Sequence, residues 1–388
     1  MNGTRRDPVV HTLDPISVSS EVGPMHAPFT RPPLTRPFTR RRRRGAAGVA
    51  VAAALVLLAG CAEESGAGDD ASGLSGEIIW SDFGGPTNEA RQEIYFAPFT
   101  EDTGVDVVSV VVNDAMQEEM ISGGPGDYDA THVGLDLVYA NMDTLVQIPE
   151  EYQDEALPEN IRAYAFGTFY VGHAQGYLTD TFPDGGPETW ADFWDVETYP
   201  GKRAWPGTPG SYDSSCEIAL LADGVAPDQL YPLDFERCSA KLDELRPDMV
   251  FYTSYPEIQQ LLVSGTAAIA MGPSGQFSAL RNAGQDVTVS WEQAVVSPNV
   301  IAIPKEAPNA ENILALTEYF HDPERQAEFA GLTHYGPGNP EAYEFIPEDV
   351  QEGLVTAPGH TTVVHQDSEA RAEATEELLN WYTAWLAD

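Results

Sequence analysis

Glu77-Ile78-Ile79-Trp80, running into Ser81-Asp82-Phe83-Gly84-Gly85-Pro86, is the stretch on which the fold turns. Its first four residues read as a short buried strand. The next six, with paired glycines and a proline, read as the loop that leaves it. Residues 88–100 then bring Ala90, Ile94, Tyr95 and Phe99 near helical spacing, and Gly104 closes that helix. Residues 105–112 form a β-branched strand, 114–121 a further helix and 128–133 a third strand. Strand and helix alternating in this way predict parallel pairing and an α/β unit. Ligands of such sheets sit beyond the carboxyl ends of the strands, which singles out residues 81–86 and 134–136.

Beyond this unit, residues 164–177 are apolar and aromatic with interleaved glycines and suit a crossing to a second unit. A short helix at 190–196 precedes residues 200–205, which lead into the next strand. Helices are expected at 214–222, 235–245 and 257–263, with a strand at 267–271 and a second crossing at 295–303. Helices at 309–320, 323–330 and 369–386 complete the chain. From Gly76 onward about 310 residues have globular composition, too many for one simple core and suited to two lobes. No internal period speaks for a solenoid or propeller.

The amino-terminal end sets the compartment. Arg40 to Arg44 form a basic run, and residues 45–60 are an Ala/Val/Leu-rich stretch ending in Leu58-Ala59-Gly60-Cys61. That order is the pattern of a secretory signal, and the apolar part falls short of the ~20 residues that a spanning helix needs. The residues at 59–61 resemble the lipobox of bacterial lipoproteins, which implies cleavage before Cys61 and acylation of its thiol. Residues 1–60 are thus expected to be a lipoprotein signal peptide, with Met25 as an alternative start. Residues 61–75, rich in Glu, Ser, Gly and Asp, are expected to be a flexible tether. The mature protein would sit outside the cell, anchored by lipid to the outer face of the cell membrane.

Charge narrows the partners. The chain carries 20 basic and 61 acidic residues, net −41. Nine Arg and three acids fall in residues 1–60, which leaves 11 basic and 58 acidic residues from Cys61 onward, a net −47. Such a surface repels nucleic acid and steers cations inward, or serves general solubility in a salty medium. Besides Cys61, only Cys216 and Cys238 are present. In an oxidising exterior they are expected to pair, and neither has the neighbours of a zinc site.

Several fragments, in order, carry a resemblance. Asp82-Phe83-Gly84-Gly85, Thr103-Gly104-Val105-Asp106-Val107 and Gly126-Asp127-Tyr128-Asp129 come first. Trp190-Ala191-Asp192-Phe193-Trp194, Tyr199-Pro200-Gly201-Lys202-Arg203-Ala204 and Tyr231-Pro232-Leu233-Asp234 follow. Lys241-Leu242-Asp243-Glu244-Leu245, Ile303-Pro304-Lys305 and Tyr335-Gly336-Pro337-Gly338-Asn339 close the set. Together they resemble substrate-binding proteins of the spermidine/putrescine type from ABC importers, over residues 76–343. The resemblance implies a two-lobed, periplasmic-binding-protein-like fold of type II, with a ligand cleft between the lobes and two hinge crossings. Its lobes would be 76–175 with 304–340, and 176–303 with 341–388. It also implies a permease and ATPase subunits as partners, and a polyamine or related amine as ligand.

A polyamine site needs carboxylates for its ends and aromatic faces for its methylenes. Asp82 and Phe83 occupy the first-strand loop, and Asp136 stands where the family often carries a Tyr. Tyr212, Asp213 and Glu217 occupy the opening helix of the second lobe. Ser274, Gln276, Asn299, Tyr255 and Tyr335 are further candidates. Tyr252, Trp291 and His334 could also line the cleft or simply pack. Each acid has a plainer reading: Asp82 and Asp136 as turn residues, and Ser214-Ser215-Cys216-Glu217 as a helix capping box. The sequence departs from the family pattern at Pro273, where a Trp is usual, and at Asn299, where an Asp is usual. An amino-acid derivative is therefore an alternative ligand.

Enzyme motifs are missing: there is no Gly-x-Ser-x-Gly, His-Glu-x-x-His or P-loop pattern. A non-enzymatic protein without cofactor is expected. The alternative of another class is a lipid-anchored hydrolase whose site is assembled from the scattered histidines.

Overall fold

The strand expected at Glu77 exists and is longer than its apolar run. A computed structural model describes residues 74–388 apart from Pro125 and residues 211–213. The signal peptide, Cys61 and almost all of the tether lie outside the described residues, as do Tyr212 and Asp213. Ten strands share one sheet: β1 (Glu77–Asp82), β2 (Asp106–Val111), β3 (Ala130–Gly134), β4 (Phe166–Leu178), β5 (Arg203–Pro206), β6 (Met249–Tyr252), β7 (Ile269–Pro273), β8 (Val287–Ala302), β9 (Gly336–Pro337) and β10 (Val364–His365).

Sheet order is β2-β1-β3-β8-β4-β7-β5-β6. β1 pairs in parallel with β2 and β3, and β5 in parallel with β6 and β7. Parallel neighbours require crossover connections, and helices supply them here, as the alternation in the sequence implies. Between these two parallel sets run β4, of 13 residues, and β8, of 16, antiparallel to each other. The far half of β8 borders β3, and the far half of β4 borders β7. Both long strands therefore pass from one set to the other, and the molecule has two lobes. β9 and β10 are short additions to β4 and β8 at this passage.

Each lobe has its own core. In the first, Ile78 and Trp80 pack with Ile94, Phe96 and Phe99 of the following helices and with Phe320 near the chain's end. Those helices form an unbroken run, Gly85–Arg91, a π turn at Gln92–Phe96, and Ala97–Thr103, ended by Gly104 in the left-handed region at φ 75°. In the second lobe, Trp190, Phe193 and Trp205 pack against the helices Ser215–Ala222 and Phe235–Leu245. Cys216 and Cys238 join those two helices in a disulfide, S–S 1.93 Å. At the passage the core narrows to Ala174, Ala294, Val296 and Val355. Small side chains there let the two long strands and the segment at Val355 approach closely.

Candidate functional site

A cleft of about 460 Å³ opens between the lobes. The first lobe contributes Asp82, Phe83 and Gly84 from the end of β1, and His132 from β3. The second contributes Pro206 at the end of β5, Tyr252 at the end of β6 with Tyr255 beyond it, and Pro273 at the end of β7 with Gln276 beyond it. Phe169, Val171 and His173 of β4 and Asn299 of β8 form its floor. Nearly every contribution comes from the carboxyl end of a strand or from a long strand, as the topology dictates.

Among the described residues that border the cleft, the charge is a single buried ion pair. Arg91 closes the helix Gly85–Arg91, and its Nη1 donates to Asp82 Oδ2. The other carboxylate oxygen of Asp82 accepts from the backbone N–H of Gly84 at 2.8 Å, a tight turn that re-aims the chain into the helix. Both oxygens of Asp82 thus have donors. Arg91 also lies 5.9 Å from the ring centres of Phe169 and Phe329, close enough for cation–π attraction to hold its plane. Its Nε is buried and has no hydrogen-bond partner among the described residues.

His132 stands next to it. The ring is wedged among Trp80, Phe169 and Phe320, with centroids 5.1, 5.2 and 5.4 Å away. Neither ring nitrogen has a partner among the described residues. Burial, with the Arg91 charge adding to it, holds the imidazole neutral by pushing its pKa well below the ordinary value. Tyr335 stacks on Phe169 at 5.0 Å and completes this wall. Phe83 and Tyr255, on opposite lobes, are 48% and 42% exposed.

Of the residues singled out from sequence, Asp82, Phe83, Tyr255, Gln276, Asn299 and Tyr335 border this cleft, as does Tyr252. Asp136 and Glu217 do not. Both turn to Arg371 of the terminal helix Ser368–Ala387: Asp136 Oδ2 lies 3.4 Å from Nε, and Glu217 Oε1 accepts from Nη1. The capping box expected at Ser214 does not form either. Ser214 makes no side-chain cap bond, and its hydroxyl lies 3.2 Å from His173 Nδ1. Remote partners outcompete the local one. Ser274 is buried beside the cleft without bordering it. Trp291 stacks on His360 at 5.1 Å, and His334 caps the helix Pro323–Thr333; neither reaches the cleft.

Sequence reasoning passed over Arg91, His132 and His173. A usable signal existed for the first. Basic residues are scarce beyond Cys61, and Arg91 stands just before the apolar run Ile94-Tyr95-Phe96, nine residues after Asp82. Nothing marked the histidines, because their neighbours come from distant segments.

Among the described residues, no group of three or more His, Cys, Asp or Glu is placed to hold a metal ion. No described helix is long and apolar enough to cross a membrane.

Comparison with known proteins agrees with this geometry. Residues 95–357 match the family described as bacterial extracellular solute-binding protein. A gamma-aminobutyric acid-binding protein of Pseudomonas aeruginosa is 28% identical over 323 residues, 79% of this chain and 89% of the relative. A putrescine-binding periplasmic protein of the same species is 24% identical, over 70% of this chain and 80% of the relative. The solved structure of an ABC transporter substrate-binding protein from Bradyrhizobium japonicum superposes with a TM-score of 0.73 at 27% identity, covering 80% of this chain and 99% of that one.

Proposed function

We propose that this chain, which belongs to the bacterial extracellular solute-binding proteins, captures a small amino acid of the 4-aminobutanoate type and delivers it to an ABC importer. Capture is by closure: the lobes rotate about β4 and β8, bury the ligand and present a closed form that the permease and its ATPase subunits read. Such a protein binds and releases its ligand unchanged.

The observation that carries this reading is the cleft's charge. Among the described residues that border it, Asp82 is the acid and Arg91 the strong base, and Asp82 is already satisfied twice over. A diamine needs a carboxylate for each end, and the described walls offer neither. A zwitterion needs one cationic donor and an aromatic bed for its ammonium, which Arg91 and the faces of Phe83, Tyr252 and Tyr255 supply. The net charge of −41 repels simple anions but exerts no long-range force on a neutral zwitterion. Gamma-aminobutyric acid is the ligand named for one relative, and putrescine for the other. A polyamine is accordingly the second reading.

Calorimetric titration of the purified protein with 4-aminobutanoate, putrescine and spermidine decides between them. The expected result is tighter binding of 4-aminobutanoate by about tenfold or more, the value of one charge-assisted hydrogen bond. Tighter binding of putrescine transfers the role to polyamines, and turnover of the ligand overturns the receptor reading altogether.

The lipobox-like Leu58-Ala59-Gly60-Cys61 supports anchoring of the mature protein by an acylated Cys61. Mass spectrometry of its amino-terminal peptide is expected to show a diacylglyceryl adduct on that residue. An intact peptide reading through residues 58–62 refutes the anchor.

A further inference from the structure

We infer that Gly275 sets how far the lobes can close: it is where the second lobe meets Tyr335 of the first, and its lack of a side chain is what permits closure. The inference rests on the reading of capture by closure, and goes further by naming the pair of residues that governs it.

The helix Ser274–Asn282 belongs to the second lobe, where Phe277 and Leu280 pack with Ala204, Tyr252 and Ile258. Its first turn nonetheless reaches the other lobe. A Cβ on Gly275 would lie 3.2 Å from Cε1 and Oη of Tyr335 and 3.3 Å from Cζ. Tyr335 packs with the core of the first lobe. Both sides of this contact are at the cleft, since Tyr335 borders it and so do Pro273 and Gln276 beside Gly275. Further along the same helix, Arg281 Nη1 would be 3.6 Å from a Cβ on Gly353. Gly353 precedes Leu354, which packs with Ala327 and Ala330 of the first-lobe helix Pro323–Thr333. The helix Ser274–Asn282 therefore lies along a seam between the lobes, and of these two approaches the one at Gly275 is tighter.

Nothing local calls for glycine there. Gly275 is a helical residue and is absent from the glycines with positive φ. Glycine weakens a helix relative to alanine, so the reason for it lies outside the helix. Tyr335 supplies one. Carbon atoms in contact rest about 3.5–4.0 Å apart, and even a methyl group at position 275 would stand a few tenths of an ångström too close. The tyrosine has little room to yield, because its ring stacks on Phe169 at 5.0 Å and its hydroxyl bonds to Thr87. The helix has little either, because Phe277 is fully buried in the second-lobe core. The relief that remains is rotation of one lobe away from the other, the reverse of capture.

The test uses the mature protein, Gly275→Ala, Gly275→Leu, Tyr335→Ala, and Gly275→Leu combined with Tyr335→Ala. Small-angle X-ray scattering of the ligand-free proteins reads the spread of the lobes, and calorimetry with 4-aminobutanoate reads closure. Gly275→Leu is expected to raise the radius of gyration and to weaken binding by about tenfold, as the closed form becomes rarer by that factor. Gly275→Ala should move both in the same direction by less. Tyr335→Ala removes a cleft residue and weakens binding by itself. On that background, however, Gly275→Leu should cost no more than about twofold and no longer spread the lobes, because its obstacle is gone. If Gly275→Leu fails to fold, Gly275→Ala with and without Tyr335→Ala carries the same comparison. Unchanged scattering and affinity in Gly275→Leu overturn the inference. An equal loss with Tyr335 removed overturns it too, by placing the damage within the helix and not at the seam. If 4-aminobutanoate does not bind the wild type, the ligand reading falls by itself, and the scattering comparison alone upholds or overturns the role of Gly275.

Discussion

His173 shows how one side chain links the cleft to the stability of the whole. It lies on β4, bordering the cleft and 3% exposed, with Nδ1 3.2 Å from the Ser214 hydroxyl. Burial first, and the charge of Arg371 second, lower its pKa to about 3. The unfolded chain takes up a proton near the ordinary value of about 6.5, while the folded chain refuses it. Stability from this residue is therefore complete above pH ~6.5 and declines as pH falls towards 3, by about 1.4 kcal/mol per pH unit. His132, held neutral for the same reason, adds a parallel loss. Replacing His173 by Gln keeps a partner for Ser214 and removes the titration. Urea unfolding at pH 7, 6 and 5 should show a slope against pH about one proton shallower in His173→Gln than in the wild type; equal slopes would refute the assignment. Residues of one type can thus diverge completely in role, and sequence does not reveal it. Asp82 ends one strand of the first lobe and Asp136 follows another, yet one pairs with a cleft arginine and the other with a core arginine.

At the level of elements, legibility follows the range of the interactions that fix each one. The helix Phe235–Leu245 starts where Asp234 accepts from the N–H of Arg237, a purely local cap, and its bounds were readable. β4 and β8 were recognisable as crossings from apolar runs with interleaved glycines. The glycines have a reason: a Cβ on Gly172 would lie 2.5 Å from Val355 Cγ2, so the passage tolerates no side chain there. What stayed hidden was the full length of β8, because its first half pairs with the second half of β4 and that pairing is long-range. The helix Ser215–Ala222 forms as expected, but its cap fails for the same cause. Its Ser-x-x-Glu signature is sound local chemistry, but His173 and Arg371 approach from elsewhere and claim both side chains. The disulfide between Cys216 and Cys238, 22 residues apart, then ties this helix to its neighbour. A closed loop of that size removes about 3 kcal/mol worth of freedom from the unfolded chain.

The whole molecule carries a large negative charge, and basic residues are few beyond Cys61, yet Arg91, Arg203 and Arg371 are buried. Arg203 is wrapped by carbonyls, with Nε 2.8 Å from Phe193 O. Arg371 does something different: it joins Asp136, which follows β3 in the first lobe, to Glu217, which packs with the second. Tyr231 donates to the same Glu217 oxygen at 3.0 Å, and Gln366 lies 3.3 Å from it. The terminal helix is thereby held to both lobes beside the passage of β8. Two carboxylates share one guanidinium in full burial, an arrangement stable only while it stays complete. Removing the cation strands two buried charges, whose cost is several kcal/mol. Arg371→Met should therefore lower unfolding free energy by about 3–5 kcal/mol, measured in urea at pH 7. Adding Asp136→Asn and Glu217→Gln removes the stranded charges and should recover most of that loss, which a mere packing defect at position 371 would not allow. A single variant within about 1 kcal/mol of wild type would show that the helix is held by its apolar face, through Leu378, Tyr382 and Trp385, and that the buried charges are incidental.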